Sequence, residues 1–428
     1  MIDREVVLSA PELVKENIRK KFQDEKLPLV DELCTLCDLW KKKKHEGDEL
    51  RRSRNTISRS INELKKKGDR SAIETTALNA KEIVLAIEQN EEEVDKLNEQ
   101  LLIIEDKIPN MMSNDVPLGK DSTQNVQVKT FGTINKQSFD VRNHAELAEW
   151  LGMADFESSA DVTGTGFYYL QGDLALLNRA LINYAIDVLV KKGFLYVETP
   201  LLLRTNVINS VTDLNDQEKM IYKLLNDDLA LIGTSEHSLI GRYIGKKIDE
   251  KCLPIKHTSY SMCFRREIGS HGIDEKGLFR THQFNKVEMI VICAPEDSER
   301  FFDDLTNITI EIFTSLEIPI RTLAICSGDL GDLKYRQFDV EAYSPKRKNY
   351  FEVGSCSNLT SAQAKKLGIT AIVKGEKIIP HTLNNTAIAT SRALVAILEN
   401  HQQKDGSVII PNILRPYMNG KSVLLKSS

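Results

Sequence analysis

The stretch Cys263–Met289, "CFRREIGSHGIDEKGLFRTHQFNKVEM", sets Arg265, Arg266, Lys276, Arg280 and Lys286 among Glu267, Asp274, Glu275 and Glu288, with Phe264, Phe279, Phe284 and two histidines between them. Its flanks, "SYSMCFRRE" and "RTHQFNKVEMIVIC", read as β-strands, and the glycine-rich "IGSHGIDEKG" reads as a long hairpin loop. Strand alternation predicts Arg265 and Glu267 on one face, and His282, Phe284 and Glu288 together on the partner strand. A guanidinium fork donates two parallel hydrogen bonds to phosphate or carboxylate oxygens. A carboxylate beside it suits an amino group, and an aromatic face suits a purine ring. The competing reading is a surface hairpin laced with salt bridges.

Outward from this stretch, strand-like runs recur. They include "DLALIG", "RTLAICSG", "QFDVEAYS" and "NYFEVGSCS", and long helical patterns are few. "LALLNRALINYAIDVLVKKG" is an amphipathic helix closed by Gly193, and "FLYVETPLLL" is a strand broken at Pro200. This pattern predicts an α+β domain built on a mostly antiparallel sheet flanked by helices, not a doubly wound one. "FEVGSCSN" crowds Glu352, Ser355, Ser357 and Asn358, hard oxygen donors suited to Mg²⁺. "HTLNNTAIATSRALVAILEN" sets Asn384, Asn385 and Thr386 ahead of an apolar helix bearing Arg392. An arginine on such a face is costly unless an anion answers it, whether a ligand's or that of a neighbouring Asp or Glu.

Residues 29–105 have a different character. Leu33, Leu36, Trp40, Leu50, Ile57, Ile61 and Leu64 follow three-and-four spacing, with Lys43, Gly47 and Arg54 as interruptions. Ala80, Ile83, Ile87, Val94, Leu97, Leu101 and Ile104 keep the same rhythm. Two helices separated by "KKKGDRS" predict an antiparallel coiled-coil hairpin, an arm of roughly 50 Å at about 1.5 Å per residue. Residues 29–67 carry eleven Lys/Arg against seven Asp/Glu, and residues 72–105 carry two against nine. The helices attract each other through this contrast, or the basic stripe meets a phosphate backbone. "IPNMMSNDVPLGKDSTQN" reads as the linker that follows.

The chain has 428 residues and a net charge of −5, with 41% hydrophobic and 28% charged residues. That is ordinary globular composition for two or three domains, with nucleic-acid contact confined to local basic patches. No apolar run suits a membrane span and the first residues lack a signal-peptide core. The seven cysteines are scattered, as expected in a reducing cytoplasm. Cys34 and Cys37 form a C-x-x-C with no second ligand pair at zinc-finger spacing, so no structural zinc is expected.

Taken together these segments resemble a class II aminoacyl-tRNA synthetase, specifically the seryl-tRNA synthetase family. "GFLYVETP", the opening stretch and "TAIATSRALVAILEN" are similar to class motifs 1, 2 and 3. "GTSEHS", "FEVGSCSN" and "HTLN" resemble the serine-pocket segments, and the helical hairpin resembles that family's tRNA-binding arm. The resemblance implies a class II catalytic domain over 113–428 and a tRNA-binding domain over 1–112. It implies ATP, L-serine and tRNA(Ser) as substrates, Mg²⁺ carried with ATP, a homodimer with Pro200 at its interface, and a cytoplasmic enzyme without membrane association. Charging of tRNA(Sec) is left open. Arg265 and Arg392 are implied as catalytic residues. Arg265, Arg266, Glu267, Arg280, Phe284, Glu352, Val353, Gly354, Ser355 and Arg392 would bind ATP, with Glu352 and Ser355 on Mg²⁺. Thr234, Ser235, Glu236, Arg265, Glu288, Asn384 and Thr386 would bind serine. Arg51, Arg52, Arg54, Lys65, Lys66 and Lys67 would meet tRNA.

Three positions depart from the pattern. Ile268 could crowd the loop base. Asn385 stands where the family has glycine and would have to tolerate a positive φ. Tyr343 replaces a common Trp. Two other readings remain: a serine-activating paralogue loading a carrier protein, which would lack the arm, and an inactive scaffold relative, which would have lost Arg265, Glu267 or Arg392.

Overall fold

The computed structural model describes residues 2–213, 217, 219–268 and 277–426, with the side chain of Lys67 outside that set. The expected loop at 269–276, with His271, Asp274, Glu275 and Lys276, lies outside the described residues. The chain forms two compact units, Met1–Pro109 and Asn110–Ser428.

In the first unit helix α1 (Leu27–Lys67) and helix α2 (Arg70–Lys107) run antiparallel. Pro28 lies in the first turn of α1, where its missing N–H costs nothing. The helix runs through the lysines of "KKKGDRS" to Lys67 and stops at Gly68, the glycine of that segment, with φ +76. Glycine adopts that left-handed conformation without the Cβ penalty. The Asp69 carboxylate then accepts from the Ala72 N–H at 3.1 Å and starts α2, so the turn is two residues. At 41 residues α1 is about 60 Å long.

Gly47, expected to break the seam, is buried within it. A Cβ there would lie 2.3 Å from Asn90 Oδ1. Through that gap Asn90 crosses and donates from Nδ2 to the Lys43 carbonyl at 3.0 Å. Below this polar contact Leu33, Cys37, Leu101 and Ile104 fill the seam, with Ile87 beside Asn90. Across the rim Lys43 pairs with Glu93 at 2.8 Å and Arg51 with Glu91 at 2.9 Å.

The second unit is built on an eight-stranded sheet. Its strands in chain order are β1 (Val126–Phe131), β2 (Leu195–Tyr196), β3 (Ile255–Phe264), β4 (Gln283–Cys293), β5 (Ile320–Ala324), β6 (Arg336–Ser344), β7 (Asn349–Asn358) and β8 (His381–Ala389). The spatial order is β1-β5-β6-β7-β8-β4-β3-β2. All neighbours are antiparallel except β2 and β3. The antiparallel sheet matches the sequence expectation. β8 does not: the residues read only as the approach to a helix form a central strand between β7 and β4.

Helices α3 (Gly172–Lys191), α5 (Ser298–Ser315) and α6 (Thr390–Asn400) share one large apolar core with the sheet. The strands' period of two divides their side chains between that core and an open face. Val287 and Met289 of β4, Cys356 of β7, and Leu383 and Ala387 of β8 are buried in the core. Asn385 also points inward, donating to the Leu305 carbonyl at 2.6 Å and to Thr309 Oγ1 at 2.9 Å of α5. Its backbone is ordinary strand, outside the positive-φ residues, so the expected strain at that position is absent. The expected linker is also packed: Asn110 is buried and bonds the Leu333 and Leu359 carbonyls, each at 3.1 Å, and Val116 joins Ile325 and Leu330.

Gly47→Leu should separate α1 from α2 at the Asn90 contact. Overpacking of this kind costs about 1–3 kcal/mol. Hydrogen exchange should accelerate along residues 80–100 while the eight-stranded sheet keeps its protection. Unchanged exchange in α2 would show that Asn90 does not lock the pair.

Candidate active site

The open face of the sheet carries two adjoining cavities. The first encloses about 550 Å³ and is lined by Arg265, Glu267, Phe279, Arg280, Phe284 and Arg392, with Glu352, Val353 and Gly354 of β7. The second encloses about 1060 Å³ and is lined by Thr234, Glu236, Glu288, Asn384, Thr386 and Ser355, among others. Arg265, Lys286, Glu352 and Thr386 line both.

Strand register produces this grouping. Lys286 and Glu288 lie two apart on β4, so both face the cavities, and Lys286 Nζ meets Glu288 Oε2 at 2.5 Å. Both are nearly sealed from bulk water. Thr386, opposite Glu288 in the β8–β4 register, donates from Oγ1 to the same carboxylate oxygen at 3.2 Å. From behind, Thr309 Oγ1 of α5 donates to the Thr386 carbonyl at 2.8 Å and fixes the strand that presents it.

Arg265 follows the last residue of β3. Its N–H donates to the His282 carbonyl at 2.9 Å, and its Nε donates to the Gly233 carbonyl at 3.2 Å. The guanidinium lies 5.3 Å from the Phe284 ring centroid. Glu267 departs from the expected alternation: the strand ends at Phe264 and Glu267 has φ +47. Its carboxylate still lines the first cavity, 3.9 Å from Arg280 Nε. Ile268, next to the loop that lies outside the described residues, is exposed. The Arg392 guanidinium lies 5.4 Å from the Phe279 centroid, and its Nη1 donates to the Glu352 carbonyl at 2.9 Å and carboxylate at 3.0 Å. Here the ion pair anticipated for a helix-borne arginine is formed.

Helix α4 (Ser235–Gly241) is capped by Thr234, whose Oγ1 accepts from the Glu236 N–H at 3.2 Å. Glu236 Oε1 accepts from Gln363 Nε2 at 2.7 Å. Burial, with Glu288 close by, pushes the Glu236 carboxyl up to about 7. On β6, Asp339 accepts from Gln337 Nε2 at 2.7 Å, and the same nitrogen reaches Ser355 Oγ at 2.9 Å. Burial and the neighbouring Glu352 carboxylate push Asp339 up as well. Burial works against ionised Glu352 too, but the Arg392 guanidinium prevails and holds it below the usual carboxylate range. Burial, reinforced by Lys286 and Arg265, drives His237 down to about 3, so its ring is neutral.

Two expected residues are not on either cavity wall. Ser235 is fully buried and donates from Oγ to the Ser259 carbonyl at 3.4 Å. Arg266 lines a separate cavity with Tyr222 and Lys223. Conversely Lys286, Lys334, Gln337, Asp339 and His237 line the pair of cavities and had been given no role. The alternation in "RQFDVEAYS" carries a usable signal for Gln337 and Asp339, since Phe338 and Val340, which alternate with them, are apolar. Gln363 has none, because its approach to Glu236 spans 127 residues of sequence.

On the arm, Arg52, Arg54, Lys65 and Lys66 are exposed. Arg51 is engaged by Glu91 and by Asp48, each at 2.9 Å. The Lys67 side chain lies outside the described residues.

Comparison with known proteins agrees with this architecture at two levels. Residues 220–401 match the family model of the tRNA synthetase class II core domain (G, H, P, S and T). Residues 1–112 match the seryl-tRNA synthetase N-terminal domain. The serine–tRNA ligase of Methanocella arvoryzae is 44% identical across 99% of this chain and 100% of its own length. The crystal structure of seryl-tRNA synthetase from Pyrococcus horikoshii complexed with ATP superposes with a TM-score of 0.94 at 38% identity, covering all of both chains. The cytoplasmic serine–tRNA ligase of Naegleria fowleri in complex with AMP gives 0.89 at 29% identity, covering 100% of this chain and 99% of that one. The chain belongs to the seryl-tRNA synthetase family. Among the described residues no helix is long and apolar enough to cross a membrane.

Proposed function

We infer that this chain is an ATP-dependent ligase that activates L-serine as seryl-adenylate, releasing pyrophosphate, and transfers the seryl group to the 3′-terminal adenosine of serine tRNA. The observation that carries the reading is the junction of the two cavities at Arg265, Lys286, Glu352 and Thr386. One cavity offers cations and aromatic faces to a nucleotide. The other offers carboxylates and hydroxyls to a small amino acid.

In this reading Phe284 stacks on adenine and Glu267 accepts from its amino group. Arg280 contacts the β- and γ-phosphates, and Arg392 lies over the ring's other side near the γ-phosphate. Val353 and Gly354 border the nucleotide. Arg265, at the junction, holds the serine carboxylate and the α-phosphate together, which sets the carboxylate oxygen for in-line attack. As the five-coordinate phosphorus forms, its added charge develops beside a guanidinium already in place. No side chain becomes covalently attached. Thr234, Glu236, Glu288, Asn384 and Thr386 receive the serine ammonium and hydroxyl. A buried site built to bond a hydroxyl rejects alanine because its own polar groups would go unpaired.

Mg²⁺ arriving with ATP would be held by Glu352 and Ser355 and would neutralise phosphate charge. The donors fit a hard cation: Asp339 and Glu352 are crowded enough to raise the Asp339 pKa. Among the described residues no cluster of three or more His, Cys, Asp or Glu forms a metal centre, so phosphate oxygens would complete the ligand set.

The direct test is ATP–pyrophosphate exchange with each of the twenty amino acids, without tRNA. Serine should support it. Robust exchange with a different amino acid and none with serine would overturn the pocket assignment. Arg265→Ala should reduce exchange at least ~100-fold, the usual cost of removing a donor at developing charge. A loss below about tenfold would remove Arg265 from that role.

The raised Glu236 pKa adds a pH signature. Below about 7 the carboxyl is protonated and must release its proton before it can pair with an ammonium. Serine affinity should therefore rise with pH and level off above that value. Between pH 6 and pH 8 the serine KM should fall by about tenfold, one proton being released. Glu236→Gln should raise KM and flatten this part of the profile, whereas an unchanged slope would locate the titration elsewhere.

Exposed Arg52, Arg54, Lys65 and Lys66 would meet tRNA phosphates, which position the RNA without reading its bases. Reversing all four to Glu should weaken tRNA binding and lessen its salt dependence, by about one unit of slope for each phosphate no longer neutralised. Serine-dependent exchange should stay within about twofold. Charging that survives the reversal would place tRNA recognition outside these residues.

A further inference from the structure

Behind the nucleotide cavity lies a buried pair with no part in the chemistry above. His144 opens the short helix His144–Trp150 and Glu399 sits in the last turn of α6. They are 5% and 1% exposed. A carboxylate at a helix C-terminus opposes the helix dipole, and a buried one needs compensation. Two side chains support Glu399, and a backbone amide backs one of them. Its Oε1 lies 3.4 Å from His144 Nδ1, its Oε2 accepts from Ser344 Oγ, and that hydroxyl accepts from the Arg347 N–H at 3.0 Å.

The other ring nitrogen fixes the direction of this chain. The Leu278 backbone N–H donates to His144 Nε2 at 3.1 Å. A backbone amide only donates, so Nε2 carries the lone pair, and the neutral ring's single proton is on Nδ1, facing Glu399. Leu278 is fully buried. Immediately before it, Gly277 has φ +105, and a Cβ there would lie 2.4 Å from His144 Nε2 and 3.0 Å from Ala145 Cβ. The backbone thus passes the imidazole at a distance only glycine permits.

Immediately after Leu278 come Phe279 and Arg280, both on the wall of the first cavity. Arg347, at the far end of the chain, places its guanidinium 4.0 Å from the Phe279 centroid. α6, which ends in Glu399, begins with the turn that bears Arg392, 5.4 Å from the same ring. Both ends of the relay therefore converge on one aromatic ring of the nucleotide cavity. We propose that His144 and Glu399 are positioning residues for ATP: they clamp the backbone at Gly277–Leu278 and so set Phe279 and Arg280 against the nucleotide. This rests on the nucleotide assignment of the first cavity.

Equilibrium ATP binding, measured without serine, tests the proposal on the full chain, with serine exchange as the second readout. His144→Leu removes the acceptor facing Leu278 and should raise the ATP Kd about tenfold, equivalent to about 1.4 kcal/mol. The serine KM should stay within about twofold. His144→Gln restores an oxygen acceptor near the Nε2 position and should recover ATP affinity to within about threefold of the parent. Gly277→Ala keeps both side chains of the pair but sets a Cβ against the imidazole, and should show the same selective loss for ATP, which keeps the proposal testable if the Leu variant fails to fold. Equal losses for ATP and serine, or no rescue by Gln, would reduce the pair to a general structural role and overturn the proposal. A parent protein that binds ATP yet exchanges nothing with serine would overturn the assigned activity, while the ATP Kd series would still decide the role of His144.

Discussion

The site is organised by a shortage of positive charge among crowded carboxylates. Glu236, Glu288, Asp339 and Glu352 all line the second cavity. Glu288 is answered by Lys286 and Glu352 by Arg392. The remaining two are held by neutral groups, with Gln363 on Glu236 and Gln337 on Asp339. An amide orients a carboxylate without cancelling its charge, and both groups are pushed up by burial and by the neighbouring acid. Ionising either one at neutral pH is therefore nearly balanced against keeping its proton, and an arriving cation tips the balance. In the proposed reading, the serine ammonium would supply that cation.

The sheet makes the arrangement possible because its period of two separates support from chemistry. On β8, Asn385 ties the strand to α5 while its neighbour Thr386 meets Glu288. On β7, Cys356 is buried in the core while Ser355 and Ser357 face the cavity. A shift of one residue in either strand would bury the hydroxyls and expose the packing groups. Helix α5 prevents that shift by bonding side chains and backbone of β8 at adjacent residues.

Much of this was legible in the sequence because the signals are periodic or carried by unusual residue types. The helical hairpin followed from three-and-four spacing, and the antiparallel sheet from repeated short β runs. Arg265, Glu267, Phe284, Glu288 and Arg392 stood out as charges and aromatics where a bland surface loop would need none. What was illegible depends on distant partners. Asn385 reads as a possible left-handed residue until α5 supplies acceptors for its amide. Glu267 reads as a strand residue until the strand is seen to end at Phe264. Gly47 reads as a flaw until Asn90 arrives from the other helix, and the approach of Gln363 to Glu236 has no local trace. The ion pair of Arg51 with Glu91 is likewise seen only once the two helices are side by side.

The contact between Asn90 and Lys43 also gives the helical hairpin a fixed length. Apolar seams alone tolerate slippage by a heptad, since one leucine can replace another. Asn90 has no such substitute, because only opposite Gly47 does it find both a reachable carbonyl and room to pass. Sliding either helix would strand its amide against a side chain. The distance from this rivet to the tip at Gly68 is then constant from molecule to molecule, and the hairpin serves as a gauge as well as a handle.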